Sequence, residues 1–554
     1  MPSDSRSSGG AGGRPPTEDA QGVDVTVVVA VYNTMPYLTD CLNSLVGQSI
    51  GAGRMEVIAV DDGSTDGSEA ELDRFAEEHP DVMTVLRQPN SGGPGAPSNR
   101  ALDVAKGRYV YFVGADDHLG REALERMVDA ADAWGSDVLV GKMMGVNGRE
   151  VRQDLFAENR ADVDLFDSPL PWLLSNCKLF RRDLVERHKL RFPEDMPIGS
   201  DQPFTIEACV RAERISVLAD YTCYYAMLRD DGGNITQGSV EVYTRLACAE
   251  RLFEFVAGLL EPGPGRDAIV HRHAKWELTK PIREGLLELD GDKRRDVCTR
   301  VGALVEKYVS DDVMALLPVK RRVRLRLAQR GDVDRLCEAI RADAAEKAYA
   351  VTMKNGRAYL AYEGFEDAEA GLPDEDYEIT KGLRRRLGEQ VRAVGARHAD
   401  GILEITVRTP ITGPDARDPE AVGLAFAVRG RDGRVRLDEA SGAELDRTHG
   451  DDGALTLTVR MPKPVVFASG SAKRTLRLMV RASGETHDVA VPAGLSGPCG
   501  SLVWRRIRPY RLSVRGDARG ITAIETRPSF PVRAVVRRLR RALHPGNAAS
   551  SGGK

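Results

Sequence analysis

The chain has 554 residues, 42% of them hydrophobic and 29% charged, with a formal net charge of −5. That composition fits a soluble globular protein of about three domains. It argues neither for nor against nucleic acid, and no nucleic-acid partner is expected. No run approaches the ~18 apolar residues of a membrane span. The eight cysteines include no Cys-x-x-Cys pair, so neither a zinc site nor a disulfide framework is indicated. A cytoplasmic protein is expected.

Residues 1–22 are rich in Ser, Gly and Pro, lack the apolar core of a signal peptide, and read as a disordered tail. A first domain is expected over 23–237. Val25 to Val31 is an apolar, β-branched run, which suits a strand buried on both faces. Tyr37 to Val46 has helical apolar spacing. Glu56 to Val60 is a second strand and runs into Asp61 and Asp62. Ser68 and Glu71 have the spacing of a capping box. Asp66 reads as a helix-capping residue. Thr84 to Leu86, the Gly-rich loop Asn90 to Pro97 and a helix near Ser98 to Lys106 follow. The strand Tyr109 to Val113 then ends in Asp116 and Asp117, ahead of a helix over Leu119 to Ala133. Strands alternating with helices predict an α/β fold with a mostly parallel sheet.

Two strands of that sheet end in paired aspartates. Open α/β sheets place their ligand crevice at such strand ends. Asp62 there can accept hydrogen bonds from a base or ribose. Asp116 and Asp117 can hold a divalent cation, and a cation can hold a diphosphate. The bland alternative is a solvated start to the next helix. Neither Gly-x-Gly-x-x-Gly after the first strand nor a P-loop is present, which argues against a dinucleotide oxidoreductase and a P-loop NTPase.

Four motifs together, Val27 to Asn33, Val60 to Asp66, Asn90 to Gly95 and Phe112 to Asp117, resemble those of family 2 glycosyltransferases. The resemblance implies a GT-A, Rossmann-like catalytic domain, a UDP-sugar donor, Mn2+ or Mg2+, and inverting transfer. It places the nucleotide against Ala30, Tyr32, Asp62, Asn99, Asp116 and Arg229, and the metal on Asp116 and Asp117. Tyr32 would stack near the uracil. Arg229, in the Gly-rich loop Leu228 to Thr236, would contact phosphate. Ser175 to Arg181 and Ile198 to Phe204 resemble the acceptor half, with Asp201 as catalytic base. The plain alternative for Asp201 is first-turn helix capping, and Gln202 reads equally as an acceptor-orienting or a surface polar residue. Inverting transfer is one displacement, so a carboxylate must take the proton of the acceptor hydroxyl. Two positions depart from the motifs: Gly114 stands where a further aspartate is usual, and Ser98-Asn99 where Arg-Asn is. His118 is left outside the metal site. The Gln-x-x-Arg-Trp motif of processive members is absent, which favours single-sugar transfer.

A helical region is expected over 238–345, with helices at Val242 to Leu260 and Arg272 to Leu289. The basic run Val319 to Arg326 reads as a solvated helix face or a contact for a polyanion. From 346 to 520 short alternating strands predict an antiparallel β-sandwich, with Asn355-Gly356 as a hairpin turn. Residues 521–554 read as a basic tail. In it Val532, Val535, Val536, Leu539 and Leu543 share one helical face among arginines, a pattern able to lie on an anionic membrane. This layout resembles wall teichoic acid glycosyltransferases of Gram-positive bacteria. It implies immunoglobulin-like modules over 346–520, a polyol-phosphate or glycan acceptor in the cell envelope and a homotrimer. The rival readings are a nucleotidyltransferase, and a carbohydrate-binding or scaffold protein with a decayed catalytic domain.

Overall fold

The computed structural model describes residues 22–234, 240–379, 382–429, 435–438, 443–468, 473–495, 499–505 and 508–528. The chain forms two compact units, 1–316 and 317–554. The tail helix expected over 532–543 lies outside the described residues.

The first unit is built on an eight-stranded sheet of order β3-β2-β1-β4-β7-β6-β8-β5. The strands are β1 (Val25–Val31), β2 (Met55–Asp61), β3 (Met83–Arg87), β4 (Tyr109–Gly114), β5 (His118–Leu119), β6 (Val138–Val146), β7 (Leu179–Arg181) and β8 (Ile215–Met227). β1 to β4 run parallel, as do β6 and β8. β7 is antiparallel to β4 and β6. The expected apolar runs are the buried core of the sheet: Val27, Val29, Val110 and Tyr111 are inaccessible. Around it lie α1 (Tyr37–Val46), α2 (Ser68–Glu78), α3 (Gly95–Leu102), α4 (Ala123–Trp134), α5 (Arg182–Arg187) and α6 (Asp201–Arg211).

Register levels the acidic strand ends. Ala30 is paired with Val60 on one side and Gly114 on the other. Asp62 and Asp116 therefore each lie two residues beyond a residue paired with Ala30. Two local expectations change. The capping box does not form, because Asp66 occupies its place: its carboxylate accepts from the Ser68 N–H at 3.0 Å and from Met35 N–H at 2.8 Å. The helix expected from Leu119 starts at Ala123, because His118 and Leu119 pair with Tyr225 and Tyr224 of β8.

The helical region supplies α7 (Val242–Leu259), α8 (Pro264–Trp276), α9 (Glu284–Glu288), α10 (Gly291–Tyr308) and α11 (Asp311–Leu316) to this unit. The single helix expected over Arg272 to Leu289 is two, because Pro281 lies in the middle and cannot donate to the helical ladder. Among the described residues no helix is long and apolar enough to cross a membrane.

The second unit opens with α12 (Val319–Gln329) and α13 (Val333–Ala344). The basic run in α12 is in part buried rather than a solvated face. Arg322 and Arg324 are buried. Arg322 donates to the carbonyls of Glu375 and Leu317, and Arg324 donates to Asp343 at 2.6 Å. Mostly antiparallel sheets follow, packed on one core that includes Leu403, Ile405, Leu457, Phe426 and Leu478. Asn355 and Gly356 both have positive φ, 53° and 71°, as the expected hairpin turn requires. The last described strand is Thr522–Pro528, so regular structure continues past residue 520.

Candidate active site

A cavity of about 800 Å3 opens at the C-terminal ends of β1, β2 and β4. Ala30, Tyr32, Asp62, Asp116, Asp117, Arg229 and Asp201 all line it. Packing explains how Asp201, far away in sequence, arrives there. Phe204, one turn into α6, sits 5.4 Å from Phe112 of β4 and stacks on Phe192 at 4.3 Å. Phe112 precedes Asp116 by four residues, so burying these rings brings the start of α6 to the end of β4.

Asp62 is buried, and three donors orient its carboxylate: the Gln88 side chain at 2.7 Å, the Ser91 N–H at 3.1 Å and the Ser91 hydroxyl at 2.9 Å. A carboxylate has about four acceptor sites, so one remains for a ligand. Tyr32 is 51% exposed and so is not a core residue. Arg229 lies 5.1 Å over the Tyr37 ring and pairs with Asp231 through two bonds of 3.0 and 2.7 Å.

The paired aspartates differ. Asp117 is buried and has both oxygens occupied by protein donors, the Tyr224 hydroxyl at 2.5 Å and the Met227 N–H at 2.6 Å. Burial, with the Asp116 charge beside it, pushes its carboxyl up to about 6 against these donors. Asp116 accepts one bond, from Asn234 at 2.9 Å, and burial raises its carboxyl against the pull of Arg149 and Arg229. The two carboxylates expected to hold a metal are therefore unequally engaged by the protein. Asp117 fastens β8 to the end of β4, and Asp116, with fewer protein donors, is the freer of the two to meet a cation. Among the described residues no group of three or more His, Cys, Asp or Glu is placed to hold a metal ion. A hard cation that keeps several waters and shares substrate phosphates needs only one or two carboxylates, and Asp116 fits that requirement.

The Gly114 departure has a steric cause. A Cβ there would lie 2.8 Å from Asp117 Oδ2, 3.2 Å from Asp116 Oδ1 and 3.3 Å from the Tyr224 hydroxyl. Gly114→Asp, which would restore the usual motif, is expected to destabilise the protein by about 1–3 kcal/mol through overpacking. Thermal denaturation against the parent measures it.

Asn99 is placed apart from the other predicted site residues and does not line the cavity. Its amide donates to the Phe192 carbonyl and to Glu194, both at 2.9 Å, and accepts from the Phe192 N–H, so it fixes the loop between α5 and α6 while Ser98 faces the cavity. His118 stacks on Tyr225 and is absent from the cavity lining. Three cavity residues escaped the sequence reading: Arg149, Tyr224 and Asn234. Arg149 and Tyr224 lie outside the quoted motifs, and Asn234 is one polar side chain among several in its loop.

Asp201 opens α6 and lies at the cavity wall. Burial raises its carboxyl above the usual range, opposed by the Arg272 and Lys178 charges. Lys178 is buried and donates to the carbonyls of Leu173 and Ser175. Gln202 is absent from the cavity lining. It is buried against α8, accepting from Arg272 at 2.5 Å and His273 at 3.0 Å.

A curled, mostly parallel sheet with an acidic cavity at its strand ends and a carboxylate facing it from a later helix defines a GT-A-like fold. Residues 26–189 match the family model described as Glycosyl transferase family 2, and 246–340 match the one described as Glycosyl transferase TarS linker domain. Residues 26–189 thus carry a glycosyl transferase family 2 domain.

Among curated proteins, it is 42% identical over 206 residues to the poly(ribitol-phosphate) beta-glucosyltransferase of Bacillus spizizenii, covering 37% of this chain and 32% of that protein. It is 40% identical over 205 residues to the poly(ribitol-phosphate) beta-N-acetylglucosaminyltransferase TarS of Staphylococcus aureus, covering 37% of this chain and 36% of that protein. The match thus spans about a third of the length of these relatives. Among solved structures, S. aureus TarS aligns over 92% of this chain and 86% of its own, with TM-score 0.58 and 22% identity, a likeness of fold. TarS 1–349 in complex with UDP-GlcNAc aligns over 61% of this chain and 97% of its own, with TM-score 0.52 and 29% identity.

Proposed function

We propose that the protein is an inverting, metal-dependent, non-processive glycosyltransferase that moves a sugar from a UDP-sugar to a hydroxyl of a polyol-phosphate polymer such as teichoic acid or its precursor. The observation that carries this reading is that Asp201 lines the same cavity as Asp62 and Asp116. The relatives' names and the UDP-GlcNAc complex of TarS support the donor and acceptor classes.

In this reading Asp62 and Tyr32 take the uridine, and Arg229 exchanges Asp231 for a phosphate oxygen. Asp116 holds Mn2+ or Mg2+, which offsets charge on the leaving diphosphate. Asp201 accepts the proton of the attacking hydroxyl, and its raised carboxyl makes it a stronger base than an exposed aspartate. Its conjugate base must be present, so transfer falls as pH drops through a value above the ordinary ~3.9 of aspartate. A cytoplasmic site of action, contact of the basic tail with the inner membrane face, and homotrimer assembly belong to the same proposal. The free state of all eight cysteines supports a reducing compartment. The edge strand Val435–Asp438, which exposes Val435 and Leu437, supports assembly through the C-terminal sheets.

Gly114 and Ser98 gave the decayed-domain reading its footing, and the close approach of Asp117, Asp116 and Tyr224 gives a glycine at 114 a steric reason of its own. The test is transfer of radiolabelled sugar from UDP-GlcNAc or UDP-glucose to poly(ribitol phosphate), with manganese or with chelator. Metal-dependent incorporation is expected. Binding of the polymer without any incorporation from either donor would favour a carbohydrate-binding protein.

A further inference from the structure

Between α6 and α8 lies a buried polar cluster that substrate handling does not account for. Gln202 Oε1 accepts from Arg272 at 2.5 Å and from His273 Nε2 at 3.0 Å. Gln202 Nε2 donates to Glu277 at 3.3 Å. Arg272 and Glu277 pair at 3.2 Å, and Lys280 donates to the second Glu277 oxygen at 2.7 Å. His273 is wholly buried, and its Nδ1 has no partner. Burial, with Arg272 beside it, brings its imidazole down to about 3, so it stays neutral and presents an Nε2–H to Gln202.

A buried polar cluster is costly unless its members satisfy one another, and once satisfied it fixes geometry. Gln202 is the immediate neighbour of Asp201 in α6. We propose that Glu277, Arg272 and Gln202 are positioning residues for the catalytic carboxylate, so that the helical region sets the orientation and charge environment of the base. This rests on the reading of Asp201 as base.

The electrostatics give the relay a sign. The charged and titratable groups facing Asp201 are Arg272 and Glu277 from the α8 segment, and Cys177 and Lys178 from the loop before β7. Arg272 and Lys178 favour the carboxylate, and Glu277 disfavours it. Glu277 itself would be raised by burial, but Arg272 and Lys280 bring it to about 2, so it is a fixed negative charge over the working range. It shares Arg272 with Asp201 and tempers the pull of that cation.

Removing the two charges should therefore move the base in opposite directions, which loss of packing alone would not do. The experiment is the pH profile of kcat/KM for transfer by the full-length protein carrying Glu277→Gln or Arg272→Gln, with thermal melts to confirm folding. Glu277→Gln is expected to move the acid limb to lower pH and Arg272→Gln to higher pH, each by about one unit. The KM for UDP-sugar should stay near the parent value. Both limbs unmoved, or both moved the same way, would overturn the proposal. If one variant does not fold, the direction shown by the other decides. Asp201→Asn separates the two ideas. Normal turnover of that variant removes the base reading itself. Its inactivity with unmoved limbs in the charge variants removes only the relay.

Discussion

Asp201→Asn is expected to lower sugar transfer by about 10²–10⁴-fold while leaving UDP binding at the parent affinity. The substitution keeps the shape of the residue at the start of α6 and removes only its ability to take a proton. The packing of Phe204 on Phe112 and Phe192, which sets the helix in place, is untouched. A transfer assay and a UDP titration on the same preparation measure the split. Full activity would remove Asp201 from the chemistry. Loss of UDP binding alongside activity would mean that the residue builds the donor site instead.

The second large effect is expected at Asp117, and it concerns stability. Asp117→Ala strands the Tyr224 hydroxyl and the Met227 N–H, two donors that the carboxylate now satisfies. A buried donor left unpaired costs about 1–3 kcal/mol. A clear drop in the melting temperature of the first unit should follow. Asp116→Ala, one position away, should leave the melt nearly unchanged, because Asp116 accepts a single side-chain bond, from Asn234. Equal melts for the two variants would contradict the division of labour between these neighbours.

What was legible in the sequence follows from physics that acts locally. The strands β1, β2 and β4 are continuous apolar runs that must be buried on both faces, and a charge can follow them only at the strand end. The acidic cavity edge was readable for that reason. What one residue does beside its neighbour was not. Asp116 and Asp117 have the same chemistry, and only the arrival of β8, with Tyr224 and the Met227 N–H, divides them. Ser98 and Asn99 are likewise adjacent, and the rotation of α3 decides which faces the cavity. The arginines of α12 looked solvated because their partners, Glu375 and Asp343, come from elsewhere in the chain. Pro281 is the exception: its effect is local, and the break it makes between α8 and α9 could have been read directly.

Gln202 marks the same boundary. Its spacing places it at the start of a helix, beside the base, where an acceptor contact is a natural reading. Its role depends on α8, which lies some 70 residues later and buries it against Arg272 and His273.

The account stands on one cavity serving both substrates, with the donor on Asp62 and Asp116 and the base on Asp201. Calorimetric titration of UDP into Asp62→Ala, Asp116→Ala and Asp201→Asn, each with manganese and with chelator, tests this most directly. The account predicts that Asp62→Ala loses UDP binding, Asp116→Ala loses the manganese-dependent part, and Asp201→Asn keeps parent behaviour. Unchanged, manganese-enhanced binding in both Asp62→Ala and Asp116→Ala would contradict it.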